Sequence, residues 1–214
     1  MIKAISITLA VYESDDIISL LCAFIGLIPF ALLCVWFYLA VIRQESFALA
    51  GFIGLFINDG LSVLLKALFK APRPLEAVTE PLEPLHLCPR SDFGFPSSHA
   101  QFIAFWCILV CYNTLFLYKP LNNSSKFILL SNILSQNLTK YFICFCCFLV
   151  TFMVGISRIY ISCHDLRQVI GGWLFGWLIG ICYVLIINKI LVPIFQKLRA
   201  ITAEIDTKFA VKFS

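Results

Sequence analysis

Charged residues vanish from long stretches of this chain, and the lengths of those stretches set its architecture. Residues 17–41 are 25 consecutive positions without a charge, enough for a helix rising ~1.5 Å per residue to cross a hydrocarbon core of ~30 Å. Pro29 lies within this first span and predicts a kink there. The polar link Arg43-Gln44-Glu45-Ser46 leads to a second apolar run, 47–65, interrupted only by Asn58, Asp59 and Ser62. Further runs at 100–118, 141–156 and 169–188 predict a third, fourth and fifth span. Between the second and third, residues 71–95 carry five prolines and no apolar period, which marks a loop. The link 119–140 contains an apolar piece, 127–134, too short to span and expected to lie at the interface.

This pattern predicts an all-α polytopic membrane bundle of about five helices. One domain, 17–195, is flanked by an N-terminal segment, 1–16, and a tail, 196–214. Glu13, Asp15 and Asp16 precede the first apolar run, so no cleaved signal peptide is expected and the first span would serve as the targeting signal. Composition agrees with the membrane reading: 61% of residues are hydrophobic, mean hydropathy is +0.94, and soluble domains hold roughly 45–50% apolar residues. Only 13% are charged, so the net charge of +4 comes from scattered cations and argues against a nucleic-acid partner.

Eight of the ten cysteines lie inside apolar runs, where cysteine acts as a small hydrophobe. Cys88 and Cys163 fall near polar clusters and are read as free thiols. In the fifth span, Gly172, Gly176 and Gly180 form a smooth stripe against which another helix can approach closely. In the second, Asp59, Ser62, Lys66 and Lys70 recur at i, i+3, i+7 and i+11, a spacing that predicts one face turned into the bundle. Two roles for Asp59 stay open here: pairing with Lys66, or acting at a site.

Three polar clusters sit at the edges of spans: Lys66 with Arg73-Pro74, Phe95-Pro96-Ser97-Ser98-His99, and Ser157-Arg158 with His164. Span parity brings all three to one face of the membrane. Together they hold three cations and two histidines, a set suited to phosphate chemistry, because Lys and Arg hold phosphoryl oxygens while imidazole attacks phosphorus or delivers a proton. No carboxylate cage accompanies them, so neither a metal nor another cofactor is expected. His86 stands alone in its loop and is left out of the site.

These motifs resemble those of the PAP2 superfamily of lipid phosphatases: Lys66…Arg73-Pro74, Pro96-Ser97-Ser98-His99 and Ser157-Arg158…His164…Gln168. Within it the chain is similar to the dolichyldiphosphatase group, through the run from Pro96 to Phe102, Ser157-Arg158-Ile159-Tyr160, Gln168-Val169 and the run from Leu191 to Phe195. The chain departs from the general pattern twice, with Ser98 in place of a glycine and Gln168 in place of an aspartate. The resemblance implies that His164 is the nucleophile, forming a phosphohistidine, and that His99 is the acid to the leaving group. Lys66, Arg73, Ser97, Ser98 and Arg158 would hold phosphate, and Gln168 would orient His164 by a neutral hydrogen bond, with Asp165 or Asp59 open to compensate for the missing charge.

The substrate implied is a polyprenyl, or dolichyl, diphosphate, recycled for N-glycosylation at the endoplasmic reticulum. A broader phosphatase of phosphatidate or sphingoid phosphates, or a non-catalytic lipid-phosphate binder, are the alternatives. By parity, nine cations lie on the side opposite the site and seven on the site side; without Lys66, Arg73 and Arg158 the latter leaves four. The positive-inside tendency then places the site in the lumen and the tail in the cytosol. The sequons at Asn122, Asn123 and Asn137 are accordingly expected to carry no glycan.

Overall fold

The computed structural model describes residues 2–5, 10–13, 15–74, 93–117, 126–198 and 200–202. His86, Cys88, Arg90, Asn122, Asn123 and the tail beyond 202 lie outside them. Among the described residues, five helical spans are long and apolar enough to cross a membrane: Ile17–Ile42, Ser46–Phe69, Ser98–Leu117, Ser135–Tyr160 and Leu166–Thr202. A short antiparallel pair, β1 (Ile2–Ile5) and β2 (Ala10–Glu13), precedes them.

The first span is two helices. α1 (Ile17–Ile25) is capped by Asp16, whose carboxylate accepts from the Ile18 N–H at 2.8 Å, and it ends at Gly26. α2 (Ile28–Phe37) restarts with Pro29 in its first turn, where the missing proline N–H belongs to a group that has no helical partner anyway. Proline therefore begins a new helix here instead of kinking an old one, and the chain continues through a π-helical turn, Tyr38–Ile42. α3 (Ser46–Phe69) follows, then α4 (Ser98–Tyr112), α5 (Lys126–Tyr160) and α6 (Leu166–Ile186).

Two further expectations need correction. The link 119–140 does not hold a separate interfacial piece, because α5 begins at Lys126 and runs unbroken to Tyr160. Residues 126–140 contain neither Pro nor Gly, so nothing breaks the helix, and hydropathy alone hid its continuity. The second concerns α3, whose buried polar stripe is Asn58, Ser62 and Lys66, while Asp59 and Lys70 are exposed. Lys70 has left the helix, capping it in the left-handed conformation at φ 49°. Asp59 instead borders a cavity of about 180 Å³ between α2, α3 and α4, lined also by Pro29, Phe30, Leu33, Leu55, Phe56 and Phe102.

Close packing of α4 on α6 positions the functional end of the bundle. A Cβ at Gly172 would meet the Ser97 carbonyl at 2.6 Å and Ala100 Cβ at 2.8 Å, one at Gly176 would overlap the Gln101 carbonyl, and one at Gly180 would meet Ile108. The glycine stripe thus faces Ala100 and Ala104, themselves fully buried, and the two backbones approach as small-residue seams allow. Tyr183 ties the other end of the seam to α3, its hydroxyl donating to the Ala50 carbonyl at 2.6 Å.

Candidate active site

The C-terminal ends of α3 and α5 and the N-terminal ends of α4 and α6 meet on one side of the bundle. There the Ser97 N–H donates to the Gln168 carbonyl at 3.0 Å, and the Gly94 N–H to the Ala71 carbonyl at 2.8 Å. The turn that carries the second motif is wedged in place by aromatic rings: Phe95 meets Phe69 edge-on at 4.9 Å and Phe175 at 6.3 Å. Its ring also fills the space that Gly171 leaves open.

His164 lies in the short turn between α5 and α6 and is only 4% exposed. The N–H groups of Cys163 and His164 both reach the Arg158 carbonyl, at 3.1 and 3.2 Å, which folds the imidazole back over the end of α5. Asp165 caps α6 by accepting from the Gln168 N–H at 2.7 Å. One helical turn inward, Gln168 holds the ring.

The tautomer of His164 follows from its partners. Gln168 Nε2 donates to the Pro72 carbonyl at 2.7 Å, an acceptor with no proton to give, so the amide is fixed with its oxygen towards the imidazole. Gln168 Oε1 lies 2.9 Å from Nδ1; an amide oxygen only accepts, so the proton resides on Nδ1 and the lone pair on Nε2. Facing that lone pair is Arg73, whose Nη1 donates to the Cys163 carbonyl at 3.0 Å and stands 3.3 Å from Nε2.

Burial, followed by the positive charge of Arg73 and, more weakly, of Lys66 and Arg158, pushes the imidazole down to about 4; the Gln168 hydrogen bond opposes the shift. The ring is therefore neutral at pH 7, its free pKa being about 6.5. A neutral imidazole whose unprotonated Nε2 stands beside a guanidinium can attack an electrophile that the guanidinium holds.

The other expected site residues converge on the same place. Lys66 and Arg158 are 6% and 9% exposed, and His99 lies within electrostatic range of Arg158, His164, Lys66 and Arg73. Ser62 donates to Ser98 at 3.0 Å, tying α3 to the first turn of α4. Ser97, the N-cap of α4, is fully buried and its hydroxyl has no hydrogen-bond partner, so that hydroxyl and the first N–H groups of α4 offer an oxyanion a set of donors. Ser157 differs: its hydroxyl bonds back to the Val154 carbonyl at 2.7 Å. Asp165 is engaged as the cap of α6 and Asp59 borders the cavity, so the charge missing at Gln168 is not replaced by a carboxylate bonded to Nδ1.

Four residues outside the expected set support the site. Pro72 supplies the carbonyl that orients Gln168, and Gly94 leaves the room its side chain fills. Asn58 and Gln101, both buried, pair across α3 and α4, with Gln101 Nε2 3.1 Å from both the carbonyl and the side-chain oxygen of Asn58. Asn58 lies four residues before Ser62 and Gln101 three after Ser98, a helical register that could have flagged them.

Comparison with known proteins identifies the family. The family model for the PAP2 superfamily matches residues 45–191. The dolichyldiphosphatase of Saccharomyces cerevisiae is 31% identical over 198 residues, covering 91% of this chain and 76% of that protein. Dolichyldiphosphatase 1 of Homo sapiens is 27% identical over 202 residues, covering 92% and 77%. Among solved structures, a transmembrane PAP2-type phosphatidylglycerolphosphate phosphatase from Bacillus subtilis shares the fold with a TM-score of 0.57 at 20% identity, covering 79% of this chain and 76% of that one. The chain belongs to the PAP2 superfamily. It is a multi-pass membrane phosphatase.

Proposed function

We propose that this enzyme hydrolyses a polyprenyl diphosphate, of which dolichyl diphosphate is the representative, to the monophosphate and inorganic phosphate. The observation that carries the mechanism is His164 fixed between Gln168 at Nδ1 and Arg73 at Nε2. Nε2 attacks the terminal phosphorus in line; the bond from phosphorus to the bridging oxygen breaks, and the lipid monophosphate leaves. His99 gives its proton to that leaving oxygen. Water then attacks the phosphohistidine, passing a proton to His99 and breaking the N–P bond, so that inorganic phosphate leaves and both imidazoles return to their starting forms.

Lys66, Arg73 and Arg158 hold the non-bridging oxygens, together with Ser97, Ser98 and the N–H groups that open α4. They neutralise the charge that spreads over these oxygens in the transition state, the work that cations do in phosphoryl transfer generally. Gln168 keeps the attacking nitrogen aimed and unprotonated. On this account neither a metal nor another cofactor takes part.

Support for a lipid substrate comes from the cavity that Asp59 borders. Phe102 in its wall lies three residues beyond His99, and Asp59 three before Ser62, so a half-open, mostly apolar cavity lies about one helical turn below the phosphate groups. A prenyl chain attached to the scissile diphosphate can enter it. The names of the relatives in yeast and human point to the dolichyl chain. We infer an endoplasmic reticulum membrane location with the site in the lumen, where a diphosphate carrier is left after its glycan is transferred. Phosphate release from dolichyl diphosphate, dolichyl phosphate and phosphatidate by the purified enzyme tests the substrate. Preference for the diphosphate is expected; equal rates on phosphatidate would favour a broad lipid phosphatase, and no release from any of them a binding protein.

A further inference from the structure

The first span lies ahead of the stretch matched by the family, 45–191, and contributes no residue to the three motifs. Its inner face is nonetheless shaped to the site. Ser19, Cys22 and Ala23 are the buried residues of α1, and Gly26 continues their i, i+3, i+4, i+7 series, so the face carries only small groups. At the outer end of α1, Tyr160 donates to Asp16 Oδ2 at 2.8 Å, which pins the span to the last turn of α5, two residues from Arg158. Cys22 lies within electrostatic range of the same arginine.

At Gly26 the helix stops. The Gly26 N–H still bonds to the Cys22 carbonyl at 3.0 Å and the Leu27 N–H to the Phe24 carbonyl at 2.9 Å, before Pro29 begins α2. A side chain at this break would overlap Arg158 Nη2 and come within 2.8 Å of Cζ. The guanidinium therefore rests on the bare backbone of Gly26. Two of the three atoms nearest that Cβ belong to the guanidinium, and the third is the Ala23 carbonyl oxygen at 3.2 Å.

We propose that Gly26 is a positioning residue of the active site, the seat that sets where the Arg158 guanidinium meets phosphate, and that the first span is thereby part of the catalytic unit. The inference rests on the assignment of Arg158 as a phosphate-holding group. The overlap is with the end of a flexible side chain and not with backbone, so a methyl at position 26 displaces the guanidinium and leaves the fold intact. A displacement of the order of 1 Å in a group that contacts the transition state costs roughly 100-fold in rate at its most severe.

The test is a double-substitution cycle on the purified full-length enzyme with a short-chain polyprenyl diphosphate. Gly26→Ala should lower kcat/KM by about 10–100-fold with the thermal unfolding midpoint unchanged, while Gly60→Ala, where a Cβ meets nothing within 4 Å, should leave the rate as it was. In an Arg158→Lys background, which removes the atoms that occupy the seat, adding Gly26→Ala should cost less than about threefold, the non-additivity expected of residues in contact. An equal penalty in both backgrounds, a wild-type rate for Gly26→Ala, or loss of folded Gly26→Ala protein would each overturn the proposal. A wild-type rate for Arg158→Ala would instead overturn the assignment of Arg158 itself.

Discussion

Gln168 holds His164 from behind with a neutral amide, Oε1 to Nδ1 at 2.9 Å, at the position where the general family pattern has an aspartate. An amide fixes the tautomer without adding negative charge. Removing it in Gln168→Ala frees the ring to rotate and to shift its proton, and should lower kcat by about 10–100-fold with little change in KM. Steady-state kinetics that match the wild type would assign the orienting role elsewhere.

Burial and the charge of Arg73, opposed by the Gln168 contact, set a pH dependence. In the proposed mechanism His164 attacks only when neutral, and its pKa, pushed down to about 4, lies below that of free imidazole, so the group should stay competent as pH falls from 7 and be lost only towards its folded pKa. Gln168→Glu places a negative charge beside Nδ1, which stabilises the imidazolium and raises that pKa. The acid limb of kcat/KM against pH should therefore move towards neutrality in the variant, compared with wild type on one substrate. A limb that stays put or moves to lower pH would contradict the assignment.

Much of this site was legible in the sequence because its signals are of the kinds a linear chain displays. Hydropathy gave the five spans, and span parity alone brought Lys66, Ser97, His99, Arg158 and His164 to one face. What stayed hidden depends on the third dimension. The Pro72 carbonyl is a backbone atom, and no residue type announces it. Gly26 reads as any glycine in an apolar run until Arg158 is seen resting on it. Asp59 sits within about 20° of Lys66 on an ideal helical wheel, yet it is exposed and borders the cavity while Lys66 is buried. The unbroken length of α5 is masked in the sequence by the polar residues among 126–140, which interrupt the apolar run without breaking the helix.

The α4–α6 seam makes a stability prediction. In Gly176→Val the added side chain meets the backbone carbonyl of Gln101, which cannot swing aside as a side chain does. Overpacking of this kind costs about 1–3 kcal/mol and occasionally more, so the unfolding midpoint in detergent should fall and activity with it. An unchanged midpoint would mean that the two helices do not pack as described.

Chelation addresses the chemistry from another direction. With Lys66, Arg73 and Arg158 neutralising the phosphate, a strong chelator should leave the rate nearly unchanged. A loss that magnesium or zinc restores would show a metal doing part of that work.

Orientation has its own readout. A lumenal site places the link between the third and fourth spans and the start of the fourth span, Ser135–Tyr160, on the cytosolic side, so Asn122 and Asn123 in the link and Asn137 in that span's first turn should remain unglycosylated although each begins a sequon. An endoglycosidase-sensitive mobility shift abolished by Asn137→Gln or by the Asn122/Asn123 double substitution would invert the topology.

The central claim is that His164 Nε2 becomes covalently bonded to phosphorus, and rapid quenching with a substrate radiolabelled at its terminal phosphate tests it most directly. Wild-type enzyme should yield protein-bound label that is stable to alkali and labile to acid, as a phosphoramidate is. His164→Ala should carry no such label and turn over slower by several orders of magnitude, as loss of a covalent nucleophile does. His99→Ala should still acquire label, more slowly, because the diphosphate supplies a comparatively good leaving group. Label retained in His164→Ala and absent from His99→Ala would reverse the two roles and contradict the account.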